Sequence, residues 1–81
     1  MWYVYILICE DKSLYTDISD NPQKRFQDHQ NGKGGRYTRS HKLLKIIYTE
    51  KLPTKSDALK REIVIKGWNR KKKIKILNLK I

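Results

Sequence analysis

The chain has 81 residues, 38% of them apolar and 33% charged, a length that allows one compact domain with a small core and excludes a second domain or a large buried cofactor pocket. Nineteen Lys and Arg against eight Asp and Glu give a formal net charge of +11, and such an excess calls for a polyanionic partner, nucleic acid before an anionic lipid surface. The excess is uneven: residues 1–22 hold Lys12 alone against Glu10, Asp11, Asp17 and Asp20, whereas residues 60–81 hold nine basic residues against Glu62.

Residues 3–9 are aromatic and β-branched, and a polar turn separates them from a second short run, Leu14 to Ile18. This pattern predicts an opening β-hairpin. Cys9, inside the first run, has no second cysteine to pair with, so a packing role in a reducing compartment is expected, without a disulfide or zinc framework. The apolar stretch from Trp2 to Cys9 is too short to cross a bilayer, lacks a basic leader and is followed by Glu10-Asp11-Lys12, so a cytoplasmic protein with no membrane partner is expected. In Ser19-Asp20-Asn21-Pro22, Asn21 suits a helix cap and Pro22 the first helical position, and Gly32 suits the stop; a helix over 22–31 follows. Gly32-Lys33-Gly34-Gly35 holds three of the four glycines and predicts a basic loop reaching toward His41. Leu43 to Lys51 reads as a third strand. Thr54 and Asp57 approximate a capping box just after Pro53, and Gly67 ends that second helix. Asn69 caps a short basic helix over 70–77, in which Ile74 and Leu77 recur at helical spacing.

Tyr5 and Tyr15 lie on the two arms of the hairpin, and the turn decides whether they meet. A two-residue turn with Glu10 opposite Ser13 puts Tyr15 on the face away from Tyr5. A three-residue connection over Asp11–Ser13, with Cys9 opposite Tyr15, puts both phenols on one face. Converging phenols can flank a phosphate, one accepting a proton and one donating a hydrogen bond, but a free phenol ionises only near about pH 10 and needs nearby positive charge to act as a base. On the first helix Arg25 and His29 are four apart and share a face, with Phe26 free to turn toward the sheet. A guanidinium forks to phosphate oxygens and an imidazole relays protons near neutral pH. Glu62 lies within about 60° of Ala58, Leu59 and Ile65 on a helical projection. It is a partly inward carboxylate, suited either to Mg²⁺ or Mn²⁺ or to an i,i+4 pair with Lys66. Lys33, Arg36, Tyr37, Arg39 and Lys42 interleave charge with one aromatic ring, a pattern that tracks a phosphate backbone and stacks on a base. Lys66, Lys71 and Lys72 extend that cationic surface.

Taken together the motifs resemble a GIY-YIG nuclease domain of the small stand-alone kind, similar to the N-terminal module of the UvrC repair endonuclease, over nearly all of the chain. Tyr3-Val4-Tyr5 stands at the GIY element and Tyr15-Thr16-Asp17 at the YIG element; Arg25 and His29 follow on the first helix, Gly32 to Arg39 is similar to the loop of the stand-alone subgroup, and Glu62 lies within Lys60-Arg61-Glu62-Ile63. The resemblance implies an α+β fold, a small three-stranded antiparallel sheet flanked by helices in the order β-β-α-β-α-α, with the catalytic surface on one sheet face. It also implies a site: Tyr5 as general base, Tyr15 positioning phosphate, Arg25 stabilising the charge that develops, His29 assisting proton transfer, and Glu62 holding one divalent cation, Mg²⁺ or Mn²⁺.

Two departures stand out. Tyr3 replaces the glycine of GIY, and Asp17 replaces the glycine of YIG, adding bulk and negative charge beside a site meant for phosphate, where it repels phosphate, binds metal or pairs with Arg25. Asn69 and Asn78 are the nearest counterparts of an asparagine that some relatives use beyond the acidic helix. The expected function is a metal-dependent endonuclease on DNA, branched or single-stranded DNA included and RNA not excluded, of low intrinsic sequence specificity. The alternative is a non-catalytic nucleic-acid-binding module impaired by Asp17, and a small accessory domain for protein or RNA contacts ranks third. A monomer is expected, with targeting left to a partner protein.

Overall fold

The computed structural model describes residues 1–30 and 43–79, and the elements follow the expected order β-β-α-β-α-α. They are β1 (Trp2–Cys9), β2 (Leu14–Ser19), α1 (Pro22–Gln30), β3 (Leu43–Leu52), α2 (Lys55–Lys66) and α3 (Arg70–Ile76). The sheet is antiparallel with strand order β2-β1-β3, so β1 is central.

β1 is an unbroken apolar run because both of its faces are covered: Val4 to Cys9 are all buried. Val4 and Ile6 pack with Ala58, Ile65 and Leu79 on one face, and Tyr5, Leu7 and Cys9 pack with Tyr15, Phe26 and Ile46 on the other. Each fully buried aliphatic side chain contributes about 1.5–3 kcal/mol. The first layer belongs to α2 and the segment after α3; the second belongs to α1, whose Phe26 turns inward as its spacing from Arg25 and His29 suggests.

The hairpin connection settles which face each tyrosine occupies. The Cys9 N–H donates to Ser13 O at 2.9 Å and the Lys12 N–H to Cys9 O at 2.8 Å, which makes the loop Glu10-Asp11-Lys12. Lys12 is left-handed at φ 69°, as the last residue of a three-residue hairpin loop requires. The Asp11 carboxylate accepts the Ser13 N–H at 2.9 Å and the Ser13 hydroxyl at 2.6 Å, an Asx-type lock on the turn. The connection therefore has three residues but starts one residue earlier than Asp11–Ser13, and Tyr15 faces Leu7 instead of Cys9.

The helix signals are realised locally. The Lys24 N–H donates to Asn21 Oδ1 at 3.2 Å, the Asp57 N–H to Thr54 Oγ1 at 3.1 Å and the Lys72 N–H to Asn69 Oδ1 at 2.8 Å. Each cap satisfies one of the unpaired N–H groups of a helix start. Gly67 follows α2, its N–H donating to the Ile63 and Val64 carbonyls. Arg70, at the start of α3, donates through Nη1 to the Lys12 carbonyl and so ties α3 to the hairpin tip.

Candidate active site

Tyr5, Tyr15 and Asp17 share one sheet face because Tyr5 is paired with Asp17 across the β1–β2 ladder and Tyr15 is two residues from Asp17 on β2. Both phenol hydroxyls donate to the same carboxylate oxygen, Asp17 Oδ2, each at 3.3 Å. The other oxygen, Oδ1, accepts the Ile18 N–H at 2.8 Å. α1 closes over this face. It sets Arg25 Nε 3.8 Å from Asp17 Oδ2, and His29 Nε2 4.0 Å from that oxygen and 3.5 Å from the Tyr5 hydroxyl. The His29 ring meets Tyr15 edge-on, with centroids 5.5 Å apart at 79°. Four of the five catalytic candidates thus converge, and they converge on Asp17.

Burial grades the four groups. Tyr5 is 0% exposed, and its hydroxyl is pushed far above the ordinary phenol range, first by burial and then by the Asp17 charge, with Arg25 opposing. Tyr15 is half-buried and pushed up to about 12 by the same two causes. Arg25 remains open to solvent, its side chain 41% exposed. His29 is buried, and desolvation, followed by the Arg25 charge, lowers it below its ordinary 6.5. The ring is therefore neutral through the neutral range. Because the folded form takes up its proton less readily than the unfolded chain, the stability this ring contributes is complete above about pH 6.5 and declines as pH falls through and below that value. Equilibrium urea unfolding is expected to give a lower midpoint at pH 5.5 than at pH 7.5, with much of the difference removed in His29→Gln. A midpoint unchanged or higher at the acid pH contradicts this.

Glu62, the fifth candidate, belongs to the helix layer on the other side of the sheet. It sits on α2, which packs against β1 and β2, and its side chain is 13% exposed, with one oxygen 3.4 Å from Lys66 Nζ. Glu62 is thus partly inward, and of its two readings the i,i+4 pair with Lys66 is the one formed. Its charge acts on the Tyr15 hydroxyl, raising it after burial, Asp17 and Arg25 have had their larger effects. Of the neighbours expected around it, Ala58 and Ile65 are fully buried, but Leu59 is exposed, as are Ile63 and Val64. The apolar contact of α2 is narrow, with Ala58 and Ile65 its buried residues, while Arg61 reaches the sheet edge through Glu50 on β3. Among the described residues no group of three or more His, Cys, Asp or Glu is placed to hold a metal ion by protein ligands alone. A single half-sheltered carboxylate nevertheless fits Mg²⁺ or Mn²⁺, ions that keep several waters and complete their shells with substrate phosphate.

Of the nucleic-acid-binding candidates, Lys33, Arg36, Tyr37, Arg39 and Lys42 lie outside the described residues. Lys66 is engaged by Glu62. Lys71 and Lys72 are exposed on α3, and Lys72 Nζ lies 5.7 Å from the Trp68 ring centroid, with the Arg61 guanidinium 5.4 Å from the same ring. Asn69 is committed to capping α3, and Asn78 lies past that helix at φ 53°. Asp17 lies beside Arg25, the pairing that is one of the readings of this departure; what motif reading misses is that both phenols turn to it as well. The sequence marks it as a departure, but its position at the centre depends on hairpin register, which a side-chain lock in the turn decides.

Comparison with known proteins gives the family and the fold. The profile of the GIY-YIG catalytic domain matches residues 1–75. A UPF0213 protein of Staphylococcus saprophyticus is 43% identical over 76 residues, covering 94% of this chain and 93% of that protein. One from Clostridium perfringens is 42% identical over 80 residues, covering 99% and 86%. Among solved structures, the solution structure of a UPF0213 protein from Bacillus halodurans is similar with a TM-score of 0.57 at 35% identity, covering 96% of this chain and 84% of that one. A protein from E. faecalis is similar with a TM-score of 0.65 at 37% identity, covering 94% and 81%.

Proposed function

Because the chain belongs to the GIY-YIG catalytic domain family, we propose that it is a divalent-metal-dependent endonuclease that hydrolyses phosphodiester bonds in DNA with little sequence preference. GIY-YIG nucleases act on DNA and are generally metal-dependent. The convergence of two phenols, a guanidinium and an imidazole on one point carries the reading for this chain.

Each residue has a part that its surroundings permit. Arg25, half open to solvent, offers its donors to a non-bridging phosphate oxygen and stabilises the charge that builds up there. Tyr15, the more accessible phenol, donates a hydrogen bond to the same phosphate, and the Tyr5 oxygen takes a proton from the attacking water as its own proton passes to His29 Nε2. The water oxygen bonds to phosphorus as the bond to the leaving oxygen breaks, and that oxygen is protonated from solvent. Neutral His29 lies on the Tyr5 hydroxyl and passes that proton on. Glu62 is the residue that would hold the cation. Mg²⁺ or Mn²⁺ bound there supplies Lewis-acid stabilisation of phosphate and a positive field that acidifies a phenol.

The competing reading, a nucleic-acid-binding module without cleavage, is favoured by one observation: the Asp17 carboxylate stands where phosphate charge is needed. Incubation of supercoiled plasmid and of branched DNA with the chain, in Mg²⁺ or Mn²⁺ and again in EDTA, separates the two. Relaxed circles appearing only with metal support the nuclease, and intact plasmid in every condition, with binding retained, leaves the module.

The exposed cations of α3 predict how binding responds to salt. Replacing Lys71 and Lys72 together by Ala is expected to flatten the slope of log K against log salt by about 1.8 on duplex DNA, near 0.9 for each phosphate that is no longer neutralised. Fluorescence anisotropy between low and physiological salt measures this, and an unchanged slope places the phosphates elsewhere.

A further inference from the structure

We propose that Asp17 is a tethered competitor for the scissile phosphate: its carboxylate occupies the point on which Tyr5, Tyr15, Arg25 and His29 converge, and DNA engages these groups only by displacing it. This rests on the nuclease reading of the site and describes how that site is regulated from within.

A phosphodiester brings non-bridging oxygens that accept hydrogen bonds and share one negative charge. The Asp17 carboxylate brings the same two properties to the same place. Oδ2 already takes both phenol protons, at 3.3 Å each, and lies 3.8 Å from the Arg25 guanidinium. The donors a phosphate needs are therefore in use. Tethering favours the occupant already present, since Asp17 belongs to β2, is paired with Tyr5 through the backbone, and is steadied at Oδ1 by the Ile18 N–H. Tyr5 is wholly buried, while the carboxylate on its hydroxyl is 19% exposed. Asp17 is thus the outer of the two groups, and phosphate reaches Tyr5 after Asp17 has swung away.

Asp17 as a metal ligand is a weaker reading of the same contacts. The neighbours of Oδ2 are two O–H donors, a guanidinium and, at 4.0 Å, the His29 ring, and both hydroxyls turn their protons to it, as they would to the oxygen of another anion. Displacement also gives the site a selection rule. A phosphate anchored by a longer backbone along the cationic helices is held near long enough to replace the carboxylate, and an isolated phosphate is not.

Asp17→Asn, which keeps the shape and removes the charge, and Asp17→Gly, which removes the group, test this alongside the native chain. Affinity for a short DNA duplex is measured in EDTA, where no cleavage occurs, and nicking of supercoiled plasmid is measured in Mg²⁺. Both variants are expected to bind duplex at least about tenfold more tightly, the scale of removing one like charge at contact distance, and to nick faster. If the native chain nicks and both variants bind no better and nick no faster, the competitor role is overturned while the nuclease reading stands. If no protein nicks yet both variants bind more tightly, the nuclease reading fails and the competition for phosphate is upheld. Asp17→Asn is isosteric, so the comparison survives if Asp17→Gly fails to fold, which a thermal melt reports.

Discussion

Tyr5→Phe is expected to slow single-turnover strand cleavage about 100- to 10,000-fold, the range that a positioned proton-transfer group contributes, with little change in DNA affinity. The phenyl ring keeps its place against Leu7 and Cys9, and only the hydroxyl that bridges Asp17 and His29 is removed. Affinity changes little because the hydroxyl that is lost serves the Asp17 carboxylate and an incoming phosphate alike, so both competitors for the site lose the same donor. Tyr15→Phe provides the contrast: Tyr15 is half-exposed, so removing its hydroxyl affects binding as well as rate. Cleavage by Tyr5→Phe at the native rate removes the proton-transfer role from this residue.

Glu62→Ala is expected to reduce metal-dependent cleavage at least about 100-fold, since an electrostatic anchor at the reacting phosphate has been removed. Binding moves the other way. Lys66, released from its 3.4 Å pair with Glu62, presents an unopposed ammonium, and duplex affinity stays level or rises. A parallel titration of rate against Mg²⁺ and of affinity by anisotropy reads the two effects separately. A proportional fall in both indicates that Glu62 supports the fold or the binding surface and holds no cation.

Much of this architecture is legible in the residues because its determinants are local. Asn21, Thr54 and Asn69 each cap the helix that follows, through hydrogen bonds spanning three residues, and the continuous burial of Val4 to Cys9 is written in an apolar run without alternation. Glu62 reads correctly as inward for the same reason, since it depends on one helix. Leu59 reads wrongly, because which side of α2 meets the sheet is decided by how narrow the packed line from Ala58 to Ile65 is. The tyrosines depend on a single residue of loop register, and that register is set by the Asp11 side chain and by a left-handed Lys12, neither of which hydrophobic pattern encodes. Asp17 is the further case. Its central position needs the hairpin register and the docking of α1 together, so the sequence displays an altered motif without displaying that the new carboxylate fills the site.

If the sheet face carrying Tyr5, Tyr15, Asp17 and Arg25 is where a phosphate is gripped, DNA binding has to be felt there. The most direct measurement is an amide-resolved NMR titration of the ¹⁵N-labelled chain with a short phosphorothioate DNA that resists cleavage, in the presence of Ca²⁺. The largest shifts are expected on Tyr15 to Ile18 and on the turn of α1 around Arg25, and they are expected to grow in Asp17→Asn. Shifts confined to α3 and the surface around Trp68, with β2 and α1 unmoved, contradict a phosphate grip on this face.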